Sequence, residues 1–384
     1  MDFLKLAIAF STLLLVTTTS QADTIKLKRG KTTIELEGEI LLEAQDGSLL
    51  FQANDGELWI AKPNELKEKV ESEKEVAPMT AKEMGEQLLA ELPEGFRVRY
   101  EPKPFVIAYQ TENDYAAWIG GLYKKLAHGF EKRFEHDLDL NAKSKFPLAV
   151  IIFSTREEYA KYVKAELGQE PGTMVAYYNV MTNRVAMYDL TNDKKAKTSK
   201  GSNRKKRGRR IADVLNTPGA VPMVATVIHE GTHQLMHNRG MQTRFSGTPL
   251  WLNEGMAMFF ETPDLTQRSG YRKIGQINGS RLRDLLPSLD NRDPKQLELM
   301  ITTDKFLQAP ETATVAYAEA WGFNYFLLKK HKDEYFAYLK FLSKKKPMDF
   351  ADSKQRLAEF KKFLGDDLKA LDSEFVKYMR SLDR

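Results

Sequence analysis

The stretch VATVIHEGTHQLMHNRG at 224–240, followed after a polar link by PLWLNEGMAMFFE at 249–261, decides how the rest of the chain is read. The apolar run MVATVI at 223–228 is what a buried helix requires, and it leads directly into His229, Glu230 and His233. Four residues apart on a helix, the two imidazoles share one face and can share one ion. Glu230, beside the first of them, is placed to take a proton from a metal-activated water. A second helix must bring the third protein ligand. Residues 250–261 read as that helix, and Glu254, separated from His233 by twenty residues, is its best candidate. Two nitrogens and one oxygen leave the fourth position of a zinc ion for water, the open arrangement that catalysis needs.

The chain contains no cysteine, which excludes disulfides, thiol nucleophiles and Cys-ligated zinc and leaves His, Asp and Glu as ligands. Glu261 falls seven residues after Glu254, two turns along the helix. It is either a hydrogen-bond acceptor for the other nitrogen of a ligand histidine or a helix-end surface carboxylate. His237 extends the His229/His233 face by a turn and is an alternative third ligand. The three-histidine pattern, however, wants Gly where Met236 stands and a more distant histidine. His128 and His136, eight residues apart on a helix expected over 114–136, have no third ligand and read as surface histidines.

HExxH followed by WLNEGxA at 251–257 resembles the gluzincin zinc metallopeptidases, above all their aminopeptidase branch, and the overall plan resembles secreted gluzincin-like proteins of bacteria. The likeness runs from His229 to about Leu328. It implies a thermolysin-like catalytic domain, one Zn2+ per chain and hydrolysis of a peptide or protein substrate. It also assigns Tyr317, in VAYAEAWGFNYFLL, the position of the tyrosine that stabilises the transition state, with Tyr325 as a fallback inside the apolar run. In that family a strand just ahead of the metal site pairs with the extended substrate, a role open here to residues 176–179 or 185–188. The GxMEN segment by which the aminopeptidase branch captures a free amine does not occur in this chain, so an endopeptidase fits better.

The remainder of the chain is read around this site. Residues 1–22 have the form of a signal peptide: a short charged start, an apolar core over 6–16, and Ser20-Gln21-Ala22, which predicts cleavage after Ala22. Eleven apolar residues fall short of the ~20 that span a bilayer, so an exported mature chain, periplasmic or extracellular, without a transmembrane segment is expected. Residues 23–62 alternate short strands (32–37, 39–44, 48–53, 57–61) with Asp-Gly turns, and QDGSLLF and NDGELWI repeat at a nine-residue interval. That pattern predicts a small all-β domain, a meander or an SH3-like barrel. Residues 63–95 read as a charged linker with a short helix over 81–92. From 96 to 384 the pattern becomes mixed α/β, with strands over 105–110 and 148–153, helices over 114–136 and 156–167, a hairpin within 173–189 and a helical C-terminal lobe.

Residues 192–210 carry ten Lys or Arg against one Asp, and without them the chain's net charge of +5 becomes −4. With almost no apolar residue this stretch reads as a mobile basic loop. It has no aromatic residue for stacking bases, which argues against nucleic acid. It reads first as a plain solvated insertion, and it also suits an acidic envelope polymer, an acidic substrate or proteolytic processing at KKRGRR. The whole predicts an α+β protein acting as an exported zinc metallopeptidase. The alternative is a non-catalytic envelope- or surface-binding scaffold that retains the metallopeptidase fold.

Overall fold

The computed structural model describes residues 23–71, 76–138, 140, 143–192, 211, 217, 219–264 and 274–383. The expected signal peptide and, apart from Asn192, the basic stretch 192–210 lie outside the described residues. The chain divides into two compact units, one of residues up to 110 with 143–152 and 178–186, the other of 111–142, 153–177 and 187 onward.

In the first unit, β1 (Asp23–Arg29), β2 (Thr32–Glu43), β3 (Leu49–Ala53), β4 (Leu58–Ala61) and β5 (Leu66–Val70) form an antiparallel sheet in the order β4-β3-β2-β1-β5. The Asp-Gly repeats are its turns: Asp46 Oδ1 accepts from Ser48 N at 2.9 Å and Asp55 Oδ1 from Glu57 N at 2.8 Å. They bring Phe51 opposite Trp59, over a core of Ile25, Leu27, Leu49, Phe51, Ala53 and Ala61. Two expectations change here. The strands read as 32–37 and 39–44 are one strand that runs through Gly38, where a Cβ would lie 2.8 Å from Cα of Ala53 on β3. Close approach of the neighbouring backbone, and not a break, explains this glycine. The stretch read as linker also holds β5, LKEKV, whose residues are half or fully exposed and therefore lack the apolar alternation that marks a strand.

After the linker, α1 (Ala81–Glu91) opens with a capping box of Thr80 and Glu83 and packs on the second sheet through Met84 and Leu88. That sheet comprises β6 (Arg97–Arg99), β7 (Phe105–Tyr109), β8 (Leu148–Phe153), β9 (Ala176–Asn179) and β10 (Arg184–Tyr188), in the order β6-β7-β8-β10-β9. β7 and β8 are parallel, which demands a long crossover. β9 is an edge strand and β10 an interior one, so of the two strands considered for pairing with a substrate β9 is the one that lacks a neighbouring strand on one side among the described residues. Arg184, buried on β10, pairs with Glu91 and lies 4.0 Å from Asp55 and 3.9 Å from Glu57.

The second unit is helical: α2 (Asn113–Leu138), α3 (Arg156–Leu167), α4 (Ala220–Asn238), α5 (Leu250–Phe260), α6 (Gly279–Leu285), α7 (Gln296–Thr302), α8 (Lys305–Gln308), α9 (Pro310–Lys330), α10 (Lys332–Leu342), α11 (Ser353–Leu364) and α12 (Leu368–Arg380). α9 is apolar nearly all round, with Ala316 and every residue from Ala318 to Leu328 buried, so it forms the centre that α5, α6 and α10 surround. The architecture is therefore mixed α+β, with an N-terminal β region and a helical C-terminal part. Among the described residues no helix is long and apolar enough to cross a membrane.

Candidate metal centre

The site is built on α4 and α5, and the sequence makes both helices sit close to their supports. On α4, Gly231 faces α2, where a Cβ would lie 2.7 Å from the Tyr123 ring. Tyr123, fully buried, donates its hydroxyl to the Val227 carbonyl at 3.2 Å. On α5, Gly255 faces α9, where a Cβ would lie 2.8 Å from the Ala320 carbonyl carbon. Buried Asn324 locks that contact, donating to the Trp251 carbonyl at 3.0 Å and the Ala320 carbonyl at 2.8 Å while accepting from the Tyr335 hydroxyl.

These supports bring His229, His233 and Glu254 together, with one ligand atom from each lying within 4.8 Å of the others. His229 Nε2 is 3.0 Å from His233 Nε2 and 3.2 Å from Glu254 Oε2, and His233 Nε2 is 3.7 Å from Glu254 Oε1. Ligands ~2.0–2.1 Å from a tetrahedral ion stand ~3.3 Å apart, so the three spacings bracket what one small cation requires. Glu261, which caps the C-terminus of α5, meets the other nitrogen of His229, with Oε1 2.5 Å from Nδ1. That bond fixes the ring of His229 so that its Nε2 faces His233 and Glu254. The donor set therefore fits a bound cation. Of the two readings of Glu261, the structure has the hydrogen-bond acceptor: its side chain is 8% exposed.

The electrostatics run the same way. Burial opposes charge on His229, but the bonds to Glu254 and Glu261 outweigh it and hold the imidazole well above its ordinary range. Burial alone would raise Glu254, yet the His233 and His229 imidazoles hold it below the usual carboxylate range. Two carboxylates thus concentrate a demand for positive charge on this point.

Glu230 projects from the same helix, and its charge acts on the buried hydroxyls of Tyr123 and Tyr159 and on Tyr317. Tyr317, half-buried on α9, also feels Glu254 and Glu261, and burial together with these carboxylates holds its phenol protonated, a hydrogen-bond donor. Tyr325, the fallback, packs against Phe259, Trp321 and Tyr378 as part of the aromatic core. His237 stays outside the converging group: burial and the charges of His233 and Arg244 hold it down at about 3, and it bonds the Gln242 backbone. His136 is fully exposed beside Asp137.

Sequence reasoning missed Arg281 and Asn324. Arg281 Nη2 lies 3.6 Å from Glu261 Oε2 and its guanidinium carbon 5.9 Å from the Tyr317 ring centre. Neither residue stands in a periodic or motif relation to HExxH, so no local signal identified it.

Fold and site together define a class: an α+β protein whose two central helices present a His/His/Glu group able to hold a metal ion, with a glutamate adjacent. Residues 223–349 match a family described as a protein of unknown function (DUF1570). The match covers about a third of the chain and includes His229, Glu230, His233, Glu254, Glu261, Arg281 and Tyr317. No curated protein matches the chain.

Proposed function

We propose that this chain is an exported zinc-dependent metallopeptidase of gluzincin type, an endopeptidase, with a thermolysin-like catalytic region and a small SH3-like β domain ahead of it. The observation that carries the reading is the convergence of His229, His233 and Glu254 from two helices, with Glu261 orienting His229 and Glu230 alongside. Zinc held by those three residues supplies a Lewis acid and lowers the pKa of a water from 15.7 towards ~7.

This chain's own residues do the rest. Glu230 accepts the proton of the attacking water and returns it to the leaving amine, which completes the proton balance of peptide hydrolysis. Tyr317, kept protonated, donates a hydrogen bond to the oxygen of the tetrahedral intermediate. Glu261 holds His229 in the tautomer and orientation that ligation requires. β9, the edge strand, is the one proposed to pair with the extended substrate. Export rests on the sequence of residues 1–22, and attraction to an acidic envelope polymer on the charge of 192–210.

Metal analysis and peptide-library cleavage of the mature protein beside Glu230→Gln test the reading. Zinc near one per chain in both proteins, with cleavage by the unmutated protein alone, is the expected result. Zinc without cleavage in either would favour the scaffold alternative, and no bound metal would remove the proposal's foundation.

A further inference from the structure

Arg281 joins two parts of the site that no sequence motif connects. Its guanidinium forms an ion pair with Glu261, with Nη2 3.6 Å from Oε2, the carboxylate oxygen that is not bonded to His229 Nδ1. A carboxylate bonded through one oxygen can still swing about its terminal torsion; a cation beside its other oxygen disfavours that swing and so steadies the ring it orients. The same guanidinium stands over the Tyr317 ring, where the nearby charges of Glu254, Glu230 and Glu261 are all negative. Three carboxylates oppose the negative charge that a hydrolytic transition state develops, and the charge of Arg281 acts on Tyr317 in the opposite sense.

The backbone around Arg281 is arranged for the purpose. Asn278 caps α6 by accepting from Arg281 N at 3.3 Å, and its amide reaches back to the Glu261 carbonyl at 3.4 Å. The start of α6 is thereby tied to the end of α5. The Arg281 side chain keeps 26% exposure, so the pair is not sealed in the core.

We propose that Arg281 is a positioning residue of this centre, holding Glu261 against His229 and setting a positive charge beside Tyr317 where the substrate oxyanion develops. The inference rests on the metallopeptidase reading above. Co2+ affinity tests it: the full-length metal-stripped protein is titrated by visible absorption with a competing chelator, for the unmutated chain, R281M, R281K, E261Q and the E261Q/R281M double variant.

R281M is expected to weaken Co2+ binding about 10-fold, the scale of losing a group that orients a ligand, and R281K to recover part of it. In the E261Q background R281M should change affinity by less than about 2-fold, because the residue it acts through is already disabled. On any peptide the protein cuts, R281M should lower kcat and leave KM unchanged. R281Q replaces R281M in the comparison if R281M loses its cooperative melting transition.

Co2+ binding by folded R281M within about 2-fold of the unmutated chain, or losses that multiply in the double variant, would overturn the coupling and leave the metallopeptidase reading standing. Failure of the unmutated chain to bind Co2+ at all would overturn both.

Discussion

Gly255→Ala isolates the packing that carries Glu254. An added Cβ would sit 2.8 Å from the Ala320 carbonyl carbon, with the Ala320 oxygen and the Asn324 amide nitrogen closer still. Carbon atoms in ordinary contact stand ~3.5–4.0 Å apart, so α5 and α9 must separate by about 1 Å. The atoms in the way are helix backbone and the amide of a fully buried side chain, neither of which can turn aside.

Overpacking of this kind costs about 1–3 kcal/mol. The Asn324 to Trp251 hydrogen bond, now 3.0 Å, would stretch beyond bonding range, leaving a buried amide unsatisfied at a further ~1–3 kcal/mol. Alanine's better helix propensity returns about 1 kcal/mol. The net expectation is a loss of about 1–5 kcal/mol, a large part of the ~5–15 kcal/mol that holds a typical protein folded. Glu254 moves with its helix by a distance well outside the ~0.2 Å tolerance of a metal ligand, so metal affinity falls too.

Urea denaturation of Gly255→Ala, with metal affinity measured by chelator competition, is the assay. Gly121→Ala provides the control: Gly121 lies within α2, a Cβ there meets nothing within 4 Å, and this change should stabilise by about 0.5–1 kcal/mol. A Gly255→Ala protein as stable as the unmutated one, binding metal equally well, would refute the close-packing argument.

Three further outcomes follow from the same geometry. On the proposed metallopeptidase reading, Glu230→Gln should keep the metal and lower kcat/KM at least about 100-fold, the lower range for removing a general base; retention of full cleavage in a steady-state assay would displace Glu230 from that role. Glu261→Gln should weaken metal binding about 10- to 100-fold with little change in melting temperature, and unchanged affinity in a chelator titration would make its bond to His229 incidental. Arg292→Met removes the cation that meets Glu319 at 2.5 Å and Asp372 through bonds of 2.9 and 3.0 Å, and should cost about 3–5 kcal/mol in denaturant melts at neutral pH. Burial already raises Glu319 above its ordinary value, with Arg292 opposing, so removing Arg292 raises it further. A carboxyl that holds its proton more tightly when folded loses stability as pH rises, so the variant's deficit should grow from pH 5 to pH 8, and a pH-independent deficit would contradict this account.

The sequence by itself determined whatever is local. A helix repeats every 3.6 residues wherever it sits, so four-residue spacing was enough to put His229 and His233 on one face. The Asp-Gly repeats are equally self-contained, because the side chains that close those turns lie within two residues of the backbone they bond. WLNEG placed Glu254 on a second helix, but its meeting with the histidines depends on Gly255, Ala320 and Asn324, residues up to 70 positions away from it in sequence.

Only the tertiary structure decided between a surface carboxylate and a bond to His229 for Glu261, since one-dimensional spacing does not say what stands opposite a helix end. It likewise decided which hairpin strand lies at the edge of the sheet, because strand order depends on distant pairing partners. β5 escaped notice because both its faces are largely wet, and Arg281 because a single arginine on a short helix has no periodicity. Its neighbours Glu261 and Tyr317 come from elements 20 residues before it and 36 after, and chain folding alone makes them adjacent.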